Sequence, residues 1–315
     1  MSNISSAYTE ALVAAKLTVS HQHHPHHTLY VVATPIGNLA DISLRALYLL
    51  DLADTIACED TRHTGQLLHA YGLHKPLMAL HEHNEVQAAQ NVITLLQAGQ
   101  RVAYVSDAGT PAISDPGSRL VAAAVEAGIR VVPIPGASSV TAALSAAGCV
   151  HTSGFLFIGF LPAKGADRAL AFQEIVGADR AVIVLEAPHR IETLLKELGS
   201  LGDRLVTIGR ELTKQFESIV TMPALELGAW LKLKPEHARG EFALVIHPKK
   251  LLSDKTSDSL SSQAINTTAT TLLVRLLQEM PLKSAVQVAV DISGLSKNVL
   301  YELALSIKLA RPDAS

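Results

Sequence analysis

Cysteine is scarce in this chain of 315 residues, and both cysteines, Cys58 and Cys149, stand in or beside apolar segments without CxxC spacing. That pattern points to reduced core thiols rather than a disulfide framework or a zinc site. No uninterrupted apolar run approaches the ~20 residues a membrane span needs. The first residues lack the basic and apolar blocks of a signal peptide, so a soluble, cytoplasmic protein without a membrane partner is expected. An excess of positive charge is missing too: 26 Lys and Arg face 29 Asp and Glu, a formal charge of -3. This excludes a protein coated with basic charge, though not a local basic patch. The phosphate-cradling pattern GxxxxGK[ST] is absent, and the turn after the first apolar segment is not GxGxxG.

What is present is an ordinary globular composition, 48% hydrophobic and 17% charged, in a chain long enough for two domains. The organising stretch is SDAGTPAISDPG, Ser106 to Gly117. It follows the apolar run Arg101 to Val105, which reads as a buried parallel strand, and precedes a helical pattern. Open α/β sheets bind ligands outside the carboxyl ends of their strands. Twelve residues exceed the ~2 to 6 of an ordinary connection, and Gly109 and Gly117 permit backbone approaches that a Cβ would block.

Other apolar segments end in the same manner. LYVVA is followed by TPIGN, with Asp41 the expected cap of the next helix, and TIAC runs into Glu59, Asp60, Thr61, Arg62 and His63. His81 and His83 have a spacing suited to metal, but no third ligand matches, so no metal site is assigned. Arg130 to Ile134 leads through a Pro-Gly turn into a helix capped by Ser138 or Ser139. In the second half, one strand ends at Glu186, Pro188, His189 and Arg190, another at Arg210, Glu211 and Lys214. Strands that repeatedly terminate in acids, bases and histidine point to one shared cleft.

The expected organisation is a flexible His-rich tail (1–27), an N-terminal α/β domain (28–149), a C-terminal α/β domain (150–250), a Ser/Thr-rich linker (251–270) and a helical module (271–315). In that module two helical patterns flank Gly294 with helix-turn-helix spacing, which suggests contact with nucleic acid.

The segments TPIGNL, CEDTRHT, SDAGTPAISDPG, PGASS, FIGFLP, EAPHRI, GREL and GEFALV, in this order, resemble the ribosomal RNA small subunit methyltransferase I family, of the tetrapyrrole-methylase fold. The resemblance covers about Leu29 to His247. It implies two α/β domains with S-adenosyl-L-methionine in the cleft between them, 2′-O-methylation of a cytidine ribose in 16S ribosomal RNA, and a homodimer acting on small-subunit RNA or the 30S subunit. Carried over by position, it sets the cofactor against Pro35, Asp107, Ala108, Gly109, Pro135, Gly136, Ser138 and Ser139, and against Ala187, Glu241 and Phe242 in the second domain. Glu59, Asp60 and Glu186 are candidate proton acceptors. Arg62 is an orienting or phosphate contact, and His189, Arg190, Arg210 and Lys214 are further candidates to meet RNA phosphates. Two alternatives stay open: a small-molecule, tetrapyrrole-like methyltransferase, which would turn over without RNA, and a non-enzymatic nucleic-acid-binding regulator, which would consume no methyl donor.

Overall fold

The computed structural model describes residues 2–150, 154–249, 271–293 and 297–309. In chain order the first elements are α1 (Ser2–Val19), β1 (Thr28–Val32), α2 (Leu44–Leu52), β2 (Thr55–Cys58), α3 (Thr61–Ala70), β3 (Leu77–Ala79), α4 (Glu85–Gln97), β4 (Arg101–Val105), α5 (Ser118–Glu126), β5 (Arg130–Ile134) and α6 (Ser139–Ala146). The five strands pair in parallel in the order β3-β2-β4-β1-β5. Parallel sheets need covering on both faces, which is why these strands read as continuous apolar runs. Tyr30, Val32, Ile56 and Val105 pack on one face with Leu47 and Leu50 of α2 and Leu68 of α3. Leu29, Ala57, Val102 and Tyr104 pack on the other with Val92 and Leu96 of α4 and Leu120 of α5.

The second sheet is mixed. It is built from β6 (Phe155–Phe160), β7 (Ala181–Glu186), β8 (Leu205–Arg210), β9 (Ser218–Pro223) and β10 (Phe242–Ile246), with helices α7 (Ala166–Gly177), α8 (Ile191–Leu198) and α9 (Leu227–Leu233) between them. The order is β6-β7-β10-β8-β9; β6 and β7 are parallel, and the other neighbours are antiparallel. One face packs Val182, Val184 and Leu244 against Leu194 of α8 and Leu227 and Trp230 of α9. On the opposite face Ile183, Ala243 and Val245 meet Val140 and Ala143 of α6. Burying such a Val is worth roughly 1.5–3 kcal/mol. The helix that ends the first sheet thus joins the core of the second, and both sheets belong to one compact unit, Met1–Lys249.

Residues from Lys250 on form the other unit. It contains α10 (271–279), α11 (Leu282–Ser293) and α12 (Lys297–Leu309), around Leu273, Val286, Ala289, Leu300 and Ala304. The Gly294 turn and the 251–270 linker lie outside the described residues. Among the described residues no helix is long and apolar enough to cross a membrane.

Two expectations from sequence need correction. Residues 1–27 are not a loose tail, because Tyr8, Leu12, Ala15 and Val19 recur at helical spacing and seal a core edge. Ala15 and Val19 are buried, Tyr8 meets Tyr71 edge-on at 5.1 Å, and Lys16 pairs with Asp51 at 2.9 Å. The histidines after it are anchored as well: His24 Nε2 lies 3.1 Å from the Val19 carbonyl, His26 Nδ1 3.0 Å from that of Gly99, and His27 Nδ1 3.0 Å from that of Leu96. Asp41 caps nothing. Asn38 caps a short 3-10 turn that contains Asp41, and Ser43, whose hydroxyl accepts from Ala46 N at 3.1 Å, caps α2.

Candidate functional site

The twelve-residue loop after β4 is held from several sides. Gly109 exchanges two backbone hydrogen bonds with Thr34, at 2.9 and 3.0 Å, so the turn after β1 and the loop after β4 move as one piece. At the far end Gly117 N donates to the buried Glu85 carboxylate at 3.0 Å, and the Tyr104 hydroxyl donates to the Pro116 carbonyl. Gly117 has φ +121°, and a Cβ there would lie 2.2 Å from the Tyr104 ring, so only glycine fits. Glu85 was not singled out from sequence. Its signal was weak, since an acid in the first turn of a helix usually serves that helix and here serves the N-terminus of α5.

This loop walls a cavity of about 390 Å³ between the two sheets. Ala108, Gly109, Thr110, Ile113, Ser114 and Asp115 contribute from the loop, Ile36 from the β1 turn, and Ser138, Ser139 and Val140 from the start of α6. The second sheet adds Phe160, Leu185, Glu186, Ala187, Pro188, Gly209, Leu212, Glu241, Phe242 and Ala243. Of the residues proposed from sequence for the cofactor, Ala108, Gly109, Ser138, Ser139, Ala187, Glu241 and Phe242 therefore line one cavity. Pro35, Asp107, Pro135 and Gly136 are not lining residues and belong to the turns that carry it. Gly136 sits so close to β1 that a Cβ would be 2.8 Å from that of Ala33. Asp107 ties β4 to β2, its carboxylate accepting from Asp60 N at 3.2 Å.

The proposed proton acceptors divide sharply. Asp60 is the N-cap of α3, accepting from Arg62 N at 2.7 Å and His63 N at 3.3 Å. Hydrogen bonds from the Arg62 side chain and backbone hold it down at about 2, which makes it a poor base. Glu186 has no exposed side-chain surface, its Oε1 accepts from Arg190 at 3.1 Å and from Ala187 N at 3.0 Å, and its Oε2 has no protein partner. Asp115, which is not among the proton acceptors proposed from sequence, lines the cavity. Burial pushes its pKa up, a hydrogen bond with Ser106 opposes this, and the charge of Asp107 adds to it. Burial likewise raises Glu59, helped by Asp107 and Asp115. Only Asp115 of these two lines the cavity; a carboxylate made more basic on a cavity wall is what proton removal requires.

Four of the five expected RNA cations are already engaged within the chain. Arg190 binds Glu186 and the Leu161 carbonyl, Arg210 donates to the carbonyls of Arg239 and Phe216, and Lys214 bridges Glu211 at 2.9 Å and Glu241 at 3.1 Å. Arg62 pairs with Asp60 at 3.1 Å, yet 88% of its side chain is exposed. His189 is exposed as well. Among the described residues no cluster of three or more His, Cys, Asp or Glu is placed to hold a metal.

Backbone strain gathers around the cavity. Ala112, Glu211 and Thr213 have φ of +63°, +53° and +66°, and they lie in the loops that supply Ile113 and Leu212 to the wall. Such conformations cost about 1–3 kcal/mol each and persist where the surroundings enforce them.

Residues 28–228 match the family model "Tetrapyrrole (Corrin/Porphyrin) Methylases", and residues 263–308 match "RsmI C-terminal HTH domain". The chain is 45% identical over 282 residues to the ribosomal RNA small subunit methyltransferase I of Neisseria meningitidis serogroup B, covering 89% of this chain and 94% of the relative. The chain belongs to the ribosomal RNA small subunit methyltransferase I family, with the tetrapyrrole-methylase fold. The relative of the same name from Escherichia coli O157:H7 is 46% identical over 279 residues, 88% of this chain and 94% of its own. Among solved structures, cobalt precorrin-4 methyltransferase superposes with a TM-score of 0.54 at 17% identity, over 70% of this chain and 95% of that one. Diphthine synthase gives 0.53 at 16% identity, over 70% and 90%. These likenesses to members of differing chemistry support the fold alone.

Proposed function

We propose that this protein transfers a methyl group from S-adenosyl-L-methionine to the 2′-hydroxyl of a cytidine ribose in small-subunit (16S) ribosomal RNA. The observation that carries the reading is the cavity: in a chain of this family, loops from both sheets converge on one crevice whose wall includes the close-packed Gly109 and the basic carboxylate of Asp115. The donor set suits an adenosyl sulfonium. Apolar Val140, Leu212 and Phe242 offer a slot for a flat ring, the hydroxyls of Ser138 and Ser139 offer polar partners, and lining cations that would repel a sulfonium are absent among the described residues.

Bound there, S-adenosyl-L-methionine supplies an electrophilic methyl whose carbon–sulfur bond breaks with its electron pair left on sulfur. The chain's own part is to hold the ribose oxygen in line with that carbon and to take its proton. Asp115 is the proton acceptor on the wall, with Glu59 beside it in the same acidic group; Asp60 and Glu186 act instead as cap and anchor. Arg62 and His189 hold phosphates flanking the target, and the other cations keep the site's loops in place. The catalytic unit extends from about residue 28 to 249, the helical module after the 251–270 linker contacts RNA, and the acting species is a cytoplasmic homodimer.

An assay with tritiated methyl donor tests this. Label should enter 30S subunits or small-subunit RNA and not RNA-free mixtures. Equal turnover without RNA, or on a tetrapyrrole, would refute it.

A further inference from the structure

The cavity has two aromatic residues on its wall, and they differ in exposure: Phe242 is buried, while Phe160 is 53% exposed. An exposed ring is informative here because it adjoins other exposed apolar residues on a cavity wall, the kind of contiguous apolar patch that marks a binding groove. Its position is also set by an irregularity in the strand. In β6, Phe157 pairs with Ile183, Gly159 with Val184 and Phe160 with Leu185, so one extra residue, Ile158, is accommodated as a β-bulge, with Gly159 at φ +73°. A bulge changes which face the following side chain takes. Ile183 and Leu185 belong to the sheet face that meets α6 and the cavity, whereas Val184 belongs to the face under α8 and α9. With regular pairing Phe160 would fall on the covered face; the bulge turns it to the cavity. Two further apolar residues of the wall, Ile113 at 54% exposure and the exposed Pro188, complete an open apolar mouth.

We infer that Phe160 is the stacking platform for the base of the acceptor nucleotide, a pyrimidine turned out of its RNA stack so that its ribose reaches Asp115. This rests on the RNA-methylating reading above and adds to it the residue that receives the base. Enzymes that act on one nucleotide of a folded RNA hold it unstacked against aromatic faces. The buried wall of Val140, Leu212 and Phe242 serves the methyl donor, which leaves the exposed ring for the nucleotide that enters from solvent.

The test compares Phe160→Ala, Phe160→Leu and Phe160→Tyr with the wild-type full-length protein, using small subunits that lack the methyl mark. Loss of a stacking face should lower kcat/KM for the subunits about 10- to 100-fold in the Ala and Leu variants, with the Tyr variant close to wild type. Calorimetry should give unchanged affinity for S-adenosyl-L-methionine in all three, and sedimentation an unchanged mass. Because the ring is half exposed, these changes leave the fold intact. Wild-type turnover with undiminished Phe160→Ala turnover overturns this inference alone. So does a Leu variant as active as Tyr, a parallel loss of donor affinity, or a change of mass that would mark Phe160 as a contact between copies of this chain. Absence of RNA methylation by the wild type removes the functional reading itself, and the inference with it.

Discussion

Replacing Gly109 with alanine puts one methyl group into the crevice where the methyl donor is proposed to lie. Gly109 has φ +78°, and a Cβ there would come 3.1 Å from Ile36 Cγ2 and 3.6 Å from the Ala137 carbonyl oxygen. Left-handed backbone costs a non-glycine residue about 1–2 kcal/mol. The tight contact with Ile36 adds to this, and the reduced freedom of the unfolded alanine chain returns about 0.4–1 kcal/mol. A net loss of about 1–3 kcal/mol follows, small beside the 5–15 kcal/mol of a typical domain, so the fold survives. At about 2–4 °C per kcal/mol for a unit of this size, Tm should fall by roughly 2–12 °C. Gly128→Ala is the control: φ is +70° and nothing lies within 4 Å of its Cβ, so it carries the same backbone strain away from the cavity. Calorimetry should show affinity for S-adenosyl-L-methionine reduced at least about tenfold, or 1.4 kcal/mol, in Gly109→Ala and unchanged in Gly128→Ala. Normal binding by Gly109→Ala, or equal loss in both variants, would refute the placement of the cofactor.

Asp115→Asn should lower kcat about 10²- to 10⁴-fold while leaving donor affinity near wild type, and the fall of wild-type activity as pH drops through the raised Asp115 value should vanish. Its linkage has a definite sign: the folded value lies above the ordinary 3.8, so the associated stabilisation is present below 3.8 and lost as pH rises through the folded value. At neutral pH the Asn variant should therefore melt no lower than wild type. Gly117→Ala should destabilise by several kcal/mol, because its Cβ meets the buried Tyr104 ring, and thermal unfolding measures it. Arg62→Ala should weaken subunit binding and flatten its salt dependence by about one phosphate contact, with donor affinity intact. Truncation after Lys250 should keep donor binding and raise KM for the subunits; equal KM would detach the helical module from RNA capture.

How far the sequence could be read follows from the range of the interactions involved. Strands such as β4 are buried on both faces and so announce themselves as apolar runs, and the polar segments at strand ends marked the cavity wall at Gly109, Ser138 and Glu186. The three-residue β3 was too short to show a period. Helix α1 was hidden beside the histidine tract, although Tyr8, Leu12, Ala15 and Val19 share a face. The roles of charged residues were least legible, because composition does not reveal partners. Asp60, a candidate proton acceptor, caps α3, and Lys214 and Arg210, candidates to meet RNA phosphates, are bonded within the chain. Asp115 gains its basicity from burial and from Asp107, which only the folded loop creates.

Mapping the methyl group tests the central claim most directly. Small subunits lacking the mark are incubated with the protein and labelled S-adenosyl-L-methionine, and the RNA is digested and weighed fragment by fragment. One new methyl should appear on the ribose of a single cytidine, and the bond 3′ to it should resist alkaline cleavage, since a methylated 2′-oxygen cannot attack the adjacent phosphate. A methyl on a base atom, a bond still cleaved by alkali, or no transfer to small-subunit RNA would contradict the account.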